Sequence, residues 1–248
     1  MVRHFFLTLY DHLGHAVLLN LLWVVASVPW FVGGWAIVWT AAVSAQALAQ
    51  PLFSGVGFVA AGGLIVFSPP TLFVCVATHA WLHNGDAGLR GAWEQTRRLL
   101  WRAQGGGLLA TLMISLLCGN VLFYQSWAGW LGLALSGVMV WISFGVILVA
   151  MLLFPVLTHA PDLSLRRAVR QCVWLVLDNL WRIIVLALAA VACLIAGAVS
   201  GAGLALGAVP ATLLGLNLGL AATMQRYGGS PLERDPRGLK DVLRPWQS

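Results

Sequence analysis

The chain has 248 residues, of which 60% are hydrophobic and only 9% charged, with a formal net charge of +6. A water-soluble domain carries about 25% charged residues, so this composition excludes one and points to the all-α integral membrane class. The apolar runs are continuous, whereas a transmembrane β-barrel needs alternating segments of about ten residues. Arginine supplies nearly all of the positive charge, Lys240 being the only lysine; in so apolar a chain this is read as a topology signal rather than a nucleic-acid footprint, and no nucleic-acid partner is expected.

In chain order, no Asp, Glu, Lys or Arg occurs between Asp11 and Asp86, between Arg102 and Asp162, or between Arg182 and Arg226. Each gap holds two apolar segments of about 20 residues, the length that crosses a bilayer. The expectation is a single membrane domain, 1–248, with transmembrane helices at about 16–40, 53–80, 106–123, 130–157, 182–199 and 203–224 and a cytoplasmic tail at 225–248. Arg3 and the small residues at Ala45, Ala47 and Ala49 imitate a secretory signal. The apolar run from Ala16 is longer than the roughly 7–15 residues of a signal core, so it is expected to stay as the first span. Kinks are predicted at Pro29 and at Pro69-Pro70, because proline removes a backbone donor that membrane helices can replace from neighbours.

Two basic islands interrupt the apolar sequence. The first carries Arg90, Arg97, Arg98 and Arg102; the second carries Arg166, Arg167, Arg170 and Arg182; the tail adds Arg226, Arg234, Arg237, Lys240 and Arg244. The alternate loops carry none. Positive residues resist translocation, so both termini are expected in the cytoplasm, with the protein in a bacterial inner membrane. Trp127 and Trp130 suit an outer aromatic belt, and Trp81, Trp101 and Trp181 an inner one.

The islands resemble each other. Asp86, Leu89, Arg90, Ala92 and Gln95 recur at the same spacing as Asp162, Leu165, Arg166, Ala168 and Gln171, and Thr78-His79-Ala80 and Thr158-His159-Ala160 precede them. At 100° per residue, Leu89, Ala92, Trp93, Thr96, Leu99 and Leu100 share one arc, as do Leu165, Ala168, Val169, Cys172, Leu175 and Val176. Each island is therefore predicted to be an amphipathic helix lying on the inner face, at 86–102 and 162–178, with Asp86 and Asp162 at or just outside the N-cap. The fold expected is a six-helix bundle of repeated two-span hairpins, each followed by one such helix. The arginines, with Trp93, would meet the anionic lipids of the inner leaflet.

Further candidates follow from residue type and spacing. Gly203, Gly207, Ala211, Gly215 and Gly219 place a small residue at every fourth position of the sixth span, a pattern that lets helix backbones approach closely. Asn20, Asn120 and Asn217 are polar groups inside spans; they are expected to bond across helices, or, on a second reading, to line a substrate path. His4, His12, His15, His79, His83 and His159 all fall on the cytoplasmic side. His12/His15 and His79/His83 share helix faces, and His79 could face His159, yet no carboxylate accompanies them, so neither metal nor cofactor is expected. Cys75, Cys118, Cys172 and Cys193 lack metal or disulfide spacing. No catalytic motif is present, and no catalytic residue is expected.

The segment Tyr10-Asp-His-Leu-Gly-His-Ala-Val-Leu-Leu-Asn20-Leu-Leu-Trp23, with Ser27, Pro29, Gly33 and Gly34 after it, resembles the opening of the YesL-like family of bacterial membrane proteins. Asn20, Trp23, Pro29 and Gly34 match its pattern, Val32 stands where that family often has threonine, and Phe154-Pro155 is similar to a later segment. The resemblance implies a membrane protein without established activity that accompanies carbohydrate uptake transporters. The expected function is therefore a non-catalytic membrane protein accessory to a transport complex, with membrane-protein subunits as partners. The alternatives are a small-molecule transporter and a metal or haem protein using the histidines.

Overall fold

A computed structural model describes residues 2–48, 52–82, 89–127, 129–200 and 207–227. Among the described residues the chain is all helical: α1 (Val2–Asp11), α2 (Leu13–Leu48), α3 (Leu52–Val66), α4 (Pro69–Leu82), α5 (Leu89–Gln125), α6 (Trp130–His159), α7 (Leu165–Asp178), α8 (Leu180–Val199), α9 (Ala208–Met224) and a closing turn of 3-10 helix (Gln225–Tyr227). Four helices, α2, α5, α6 and α8, are long and apolar enough to cross a membrane, and five do so if the bent pair α3–α4 counts as one span. This is a membrane-embedded helical protein.

The pair α3–α4 is bent at a break. α3 and α4 meet at 44° across Phe67 and Ser68. The cause lies in the sequence: Pro69 and Pro70 bring no backbone N–H, and the residue before a proline is pushed out of helical conformation, so a helix can begin at Pro69 but not run through it. In a bilayer the freed carbonyls must be bonded from within the protein. Thr71 Oγ1 donates to the Ile65 carbonyl at 3.3 Å and lies 3.1 Å from Ser68 Oγ, and Trp23 Nε1 of α2 donates to Thr71 Oγ1 at 2.9 Å. Pro29, by contrast, is taken up within α2, which continues as one helix of 36 residues.

The first island does not form a separate interfacial helix at 86–102. It is the start of α5, a single helix of 37 residues that continues through Gly105, Gly106 and Gly107 into the third span. Glycine permits a break there but does not require one, and the packing decides. A Cβ on Gly106 would lie 2.7 Å from Leu153 Cδ2 and 2.8 Å from Leu165 Cδ1, and one on Gly107 would meet Phe67. α6, α7 and the α3–α4 break thus close on this point of α5 and hold it helical. The second island does form its own helix, α7. The chain breaks at Asn179, where the matching position of the first island is Ala103; asparagine's side chain competes with the backbone for hydrogen bonds, and alanine's cannot. Asn179 leaves helical geometry at φ −129° and ψ 34°, and its Nδ2 donates to Tyr227 Oη at 2.9 Å. Ser164, not Asp162, holds the N-cap position of α7, and Asp86 lies outside the described residues.

The core is organised around α9. Of its 17 residues only Gly215, Ala222 and Met224 are not buried, and it touches α1, α2, α4, α6 and α8. A helix buried on every side needs no polar face, which is why its sequence shows no amphipathic pattern. At 17 residues it is shorter than the roughly 20 that span hydrocarbon, so the described chain holds four to five membrane-length helices rather than six. Residues 203–206, the predicted start of this span, lie outside the described residues, and Gly203 with them.

Candidate functional site

The two Thr-His-Ala segments end α4 and α6, and the fold brings them together. Thr78 Oγ1 donates back to the Val74 carbonyl at 2.9 Å, and Thr158 Oγ1 to the Phe154 carbonyl at 2.7 Å. Asn217 of α9 joins them, its Nδ2 donating to the Cys75 carbonyl at 3.0 Å and to Thr78 Oγ1 at 3.1 Å. Cys75 Sγ completes the bridge, 3.7 Å from Thr158 Oγ1. Three helices that are far apart in sequence are thereby tied through four buried polar side chains, none more than 1% exposed. The His79 and His159 rings touch edge to face, with centroids 4.1 Å apart, as their spacing suggested. His159 Nδ1 lies 2.9 Å from the Pro155 carbonyl, so this nitrogen carries the proton in the neutral ring. Gln95 of the first island donates through Nε2 to the Thr158 carbonyl at 3.4 Å.

A second polar contact sits at the other end of α9. Gly207 takes a left-handed conformation, φ 109°, which glycine adopts without the Cβ penalty of other residues. The first N–H groups of a helix have no partner inside it; here Asn20 of α2, fully buried, accepts from the Val209 N–H at 3.3 Å. Asn20 and Trp23 are one helical turn apart on α2, the first serving the start of α9 and the second the α3–α4 break. Among the described residues Asn120 bonds within its own helix, its Nδ2 donating to the Leu116 carbonyl at 3.0 Å.

The islands pack part of the arc that their periodicity indicated against the protein itself. Ala92, Thr96 and Leu99 are buried in the first, and Ala168, Cys172, Leu175 and Val176 in the second. Leu89 and Trp93, on the same arc, lie on the protein surface, Trp93 being 60% exposed. Burial pushes the Cys172 thiol up to about 12, because the thiolate would lose its solvation. Arg90, Arg97, Arg98, Arg166, Arg167, Arg170 and Arg182 are exposed. Arg102 is not equivalent to them: its Nη1 donates to the Pro161 carbonyl at 2.6 Å and the Leu163 carbonyl at 2.8 Å, fastening the start of α5 to the loop before α7. Hydrogen bonds to a charged donor contribute about 1.5–3 kcal/mol. Arg102→Gln is expected to lower the melting temperature in detergent and to speed amide exchange at 160–165, while Arg97→Gln leaves both unchanged; equal behaviour of the two variants would refute the assignment.

The small residues of α9 each meet a different neighbour, as a stripe that drifts around the helix must. A Cβ on Gly207 would lie 3.5 Å from Ala16 of α2, one on Gly215 3.8 Å from Phe5 of α1, and one on Gly219 2.6 Å from Leu186 of α8; Ala211 is buried. Other tight approaches lie on α3, which the sequence reading passed over. Gly57 abuts Ala41 of α2, Gly63 abuts Thr111 of α5, and Gly55 would place a Cβ 2.8 Å from Leu122 of α5. The glycines of 55–63 were the available signal. Open apolar grooves remain among the described residues. One of about 430 Å³ runs between α5, α6 and α7, and one of about 280 Å³ between α1, α8 and α9. His83 lies outside the described residues; among those described, no three His, Cys, Asp or Glu side chains converge as a metal site. Searches of protein-family models, curated proteins and solved structures find no match for this chain.

Proposed function

We propose that the chain is a non-catalytic protein of the bacterial inner membrane, with six spans and both termini in the cytoplasm, serving as an accessory subunit of a transport complex. In this reading α9 and the residues before it make the sixth span, and the two islands with the hairpins before them are copies of one unit. The observation that favours an accessory subunit over a transporter is the use made of Asn217, Asn20, Thr78 and Thr158: each is buried and bonded to protein atoms, leaving them to hold helices rather than to line a path. Large exposed apolar surfaces and a basic inner side suit a subunit that lies against lipids and other membrane proteins. The resemblance to the YesL-like family supports carbohydrate uptake as the setting. The deciding experiment is mass spectrometry of the complex purified in mild detergent. A transporter subunit at fixed stoichiometry is expected; solute uptake by vesicles holding the chain alone would overturn the proposal.

The topology has its own check. Single cysteines at Gln46 and Ser126 are expected to react with an impermeant maleimide from outside the cell, and those at Asn84 and Ser230 only after the membrane is opened. Outside labelling at Asn84 would reverse the orientation.

A further inference from the structure

The groove between α5, α6 and α7 combines two features. Its walls are apolar throughout, and small residues, Gly106, Ala110, Gly145 and Ala150, recess it. At Gly145 the space is open: a Cβ placed there would have nothing within 4 Å. Its α7 wall consists of Val169, Val173, Val176 and Leu177. At 100° per residue Arg166 falls within that same arc, one turn nearer the start of α7, and Arg170 falls at its edge, about 20° beyond Leu177; both are exposed. The third arginine near its α5 end, Arg102, is already committed to carbonyls. A recess without polar walls, with two exposed arginines on the α7 face that lines it, makes a receptor with an apolar body and a cationic rim.

We propose that this groove binds one anionic phospholipid, an acyl chain lying in the recess and the phosphate received by Arg166 and Arg170. Guanidinium matches a phosphate with two parallel N–H donors, and a volume of about 430 Å³ lies within the usual range of ligand sites. The apolar recess alone would take any lipid; the arginines select the negative one. The site rests on the accessory-subunit reading only for the leaflet it faces, and a transport partner that leaves the groove open does not bear on it.

The test is native mass spectrometry of the full chain in detergent with phosphatidylglycerol or phosphatidylcholine of matched acyl chains. One phosphatidylglycerol adduct is expected to survive activation that strips phosphatidylcholine. Arg166→Gln with Arg170→Gln is expected to remove that advantage, about five-fold for each arginine. Gly145→Phe, which fills open space and so leaves the melting temperature intact, is expected to weaken both lipids. Equal retention of the two lipids by the unmodified chain, or a preference that survives the paired arginine change, would overturn the proposal. So would a co-purified protein subunit whose presence abolishes the adduct, because the groove would then belong to that subunit.

Discussion

Asn217→Asp is expected to be among the most damaging single substitutions in the chain. The side chain keeps its size, so packing is not the cause. Asn217 donates to the Cys75 carbonyl at 3.0 Å and to Thr78 Oγ1 at 3.1 Å; a carboxylate donates to neither and sets an acceptor against an acceptor. In the proposed sixth span an aspartate costs about 3 kcal/mol even where it can seek water, and Asn217 has no exposed surface. Asn217→Leu removes the same two bonds without burying charge. Interhelical hydrogen bonds in membranes average about 0.6 kcal/mol and misfit adds about 1–3 kcal/mol, so it should rank as the milder change. Thermal melting in detergent decides the point: an aspartate variant as stable as the unmodified protein would mean that α9 is not bonded to α4 at this place.

The second large effect is a contrast of sign between two glycines. Gly107→Ala adds a Cβ that meets Phe67 at its own Cβ and lies 2.9 Å from its Cγ. Those atoms sit next to the backbone and cannot swing aside, so α5 and the α3–α4 break must separate, at a cost of about 1–3 kcal/mol. Gly145→Ala meets nothing within 4 Å. There the helix propensity of alanine acts alone and contributes about 0.8–1 kcal/mol. Melting should therefore fall for the first variant and rise for the second. A rise for both would show that α5 does not press on Phe67.

Helix existence was legible because charge-free stretches of membrane length admit few alternatives. The predicted 130–157 and 182–199 lie within the observed α6 and α8 to within a few residues. The broken second span was legible too, since Pro69-Pro70 carries its own cause. Whether the first island stood apart was not, because Ala103 to Gly107 is neutral locally and the decision belongs to Leu153, Leu165 and Phe67, which arrive from other elements. The polar junction was legible in half. Thr78-His79 and Thr158-His159 announced themselves by resemblance, but their meeting with Asn217 and Cys75 depends on where α9 runs. The partner of Asn20 was hidden for a stronger reason: it is a backbone N–H, which no residue letter reveals.

The enclosure of α9 also bears on the order of assembly. The contacts that close the core join Asn20 to Val209, 189 positions apart, and Asn217 to Cys75, 142 apart. At roughly 5–20 residues per second, α2 and α4 wait several seconds to tens of seconds in the membrane before their partner is made. Until then the inner faces of α2 and α4, and later of α6 and α8, lie uncovered, with the Asn20 acceptor and the Cys75 carbonyl awaiting their donors. Membrane chaperones and quality-control proteases would meet a half-built bundle, and the arrival of the seventeen residues of α9 is what ends its vulnerability.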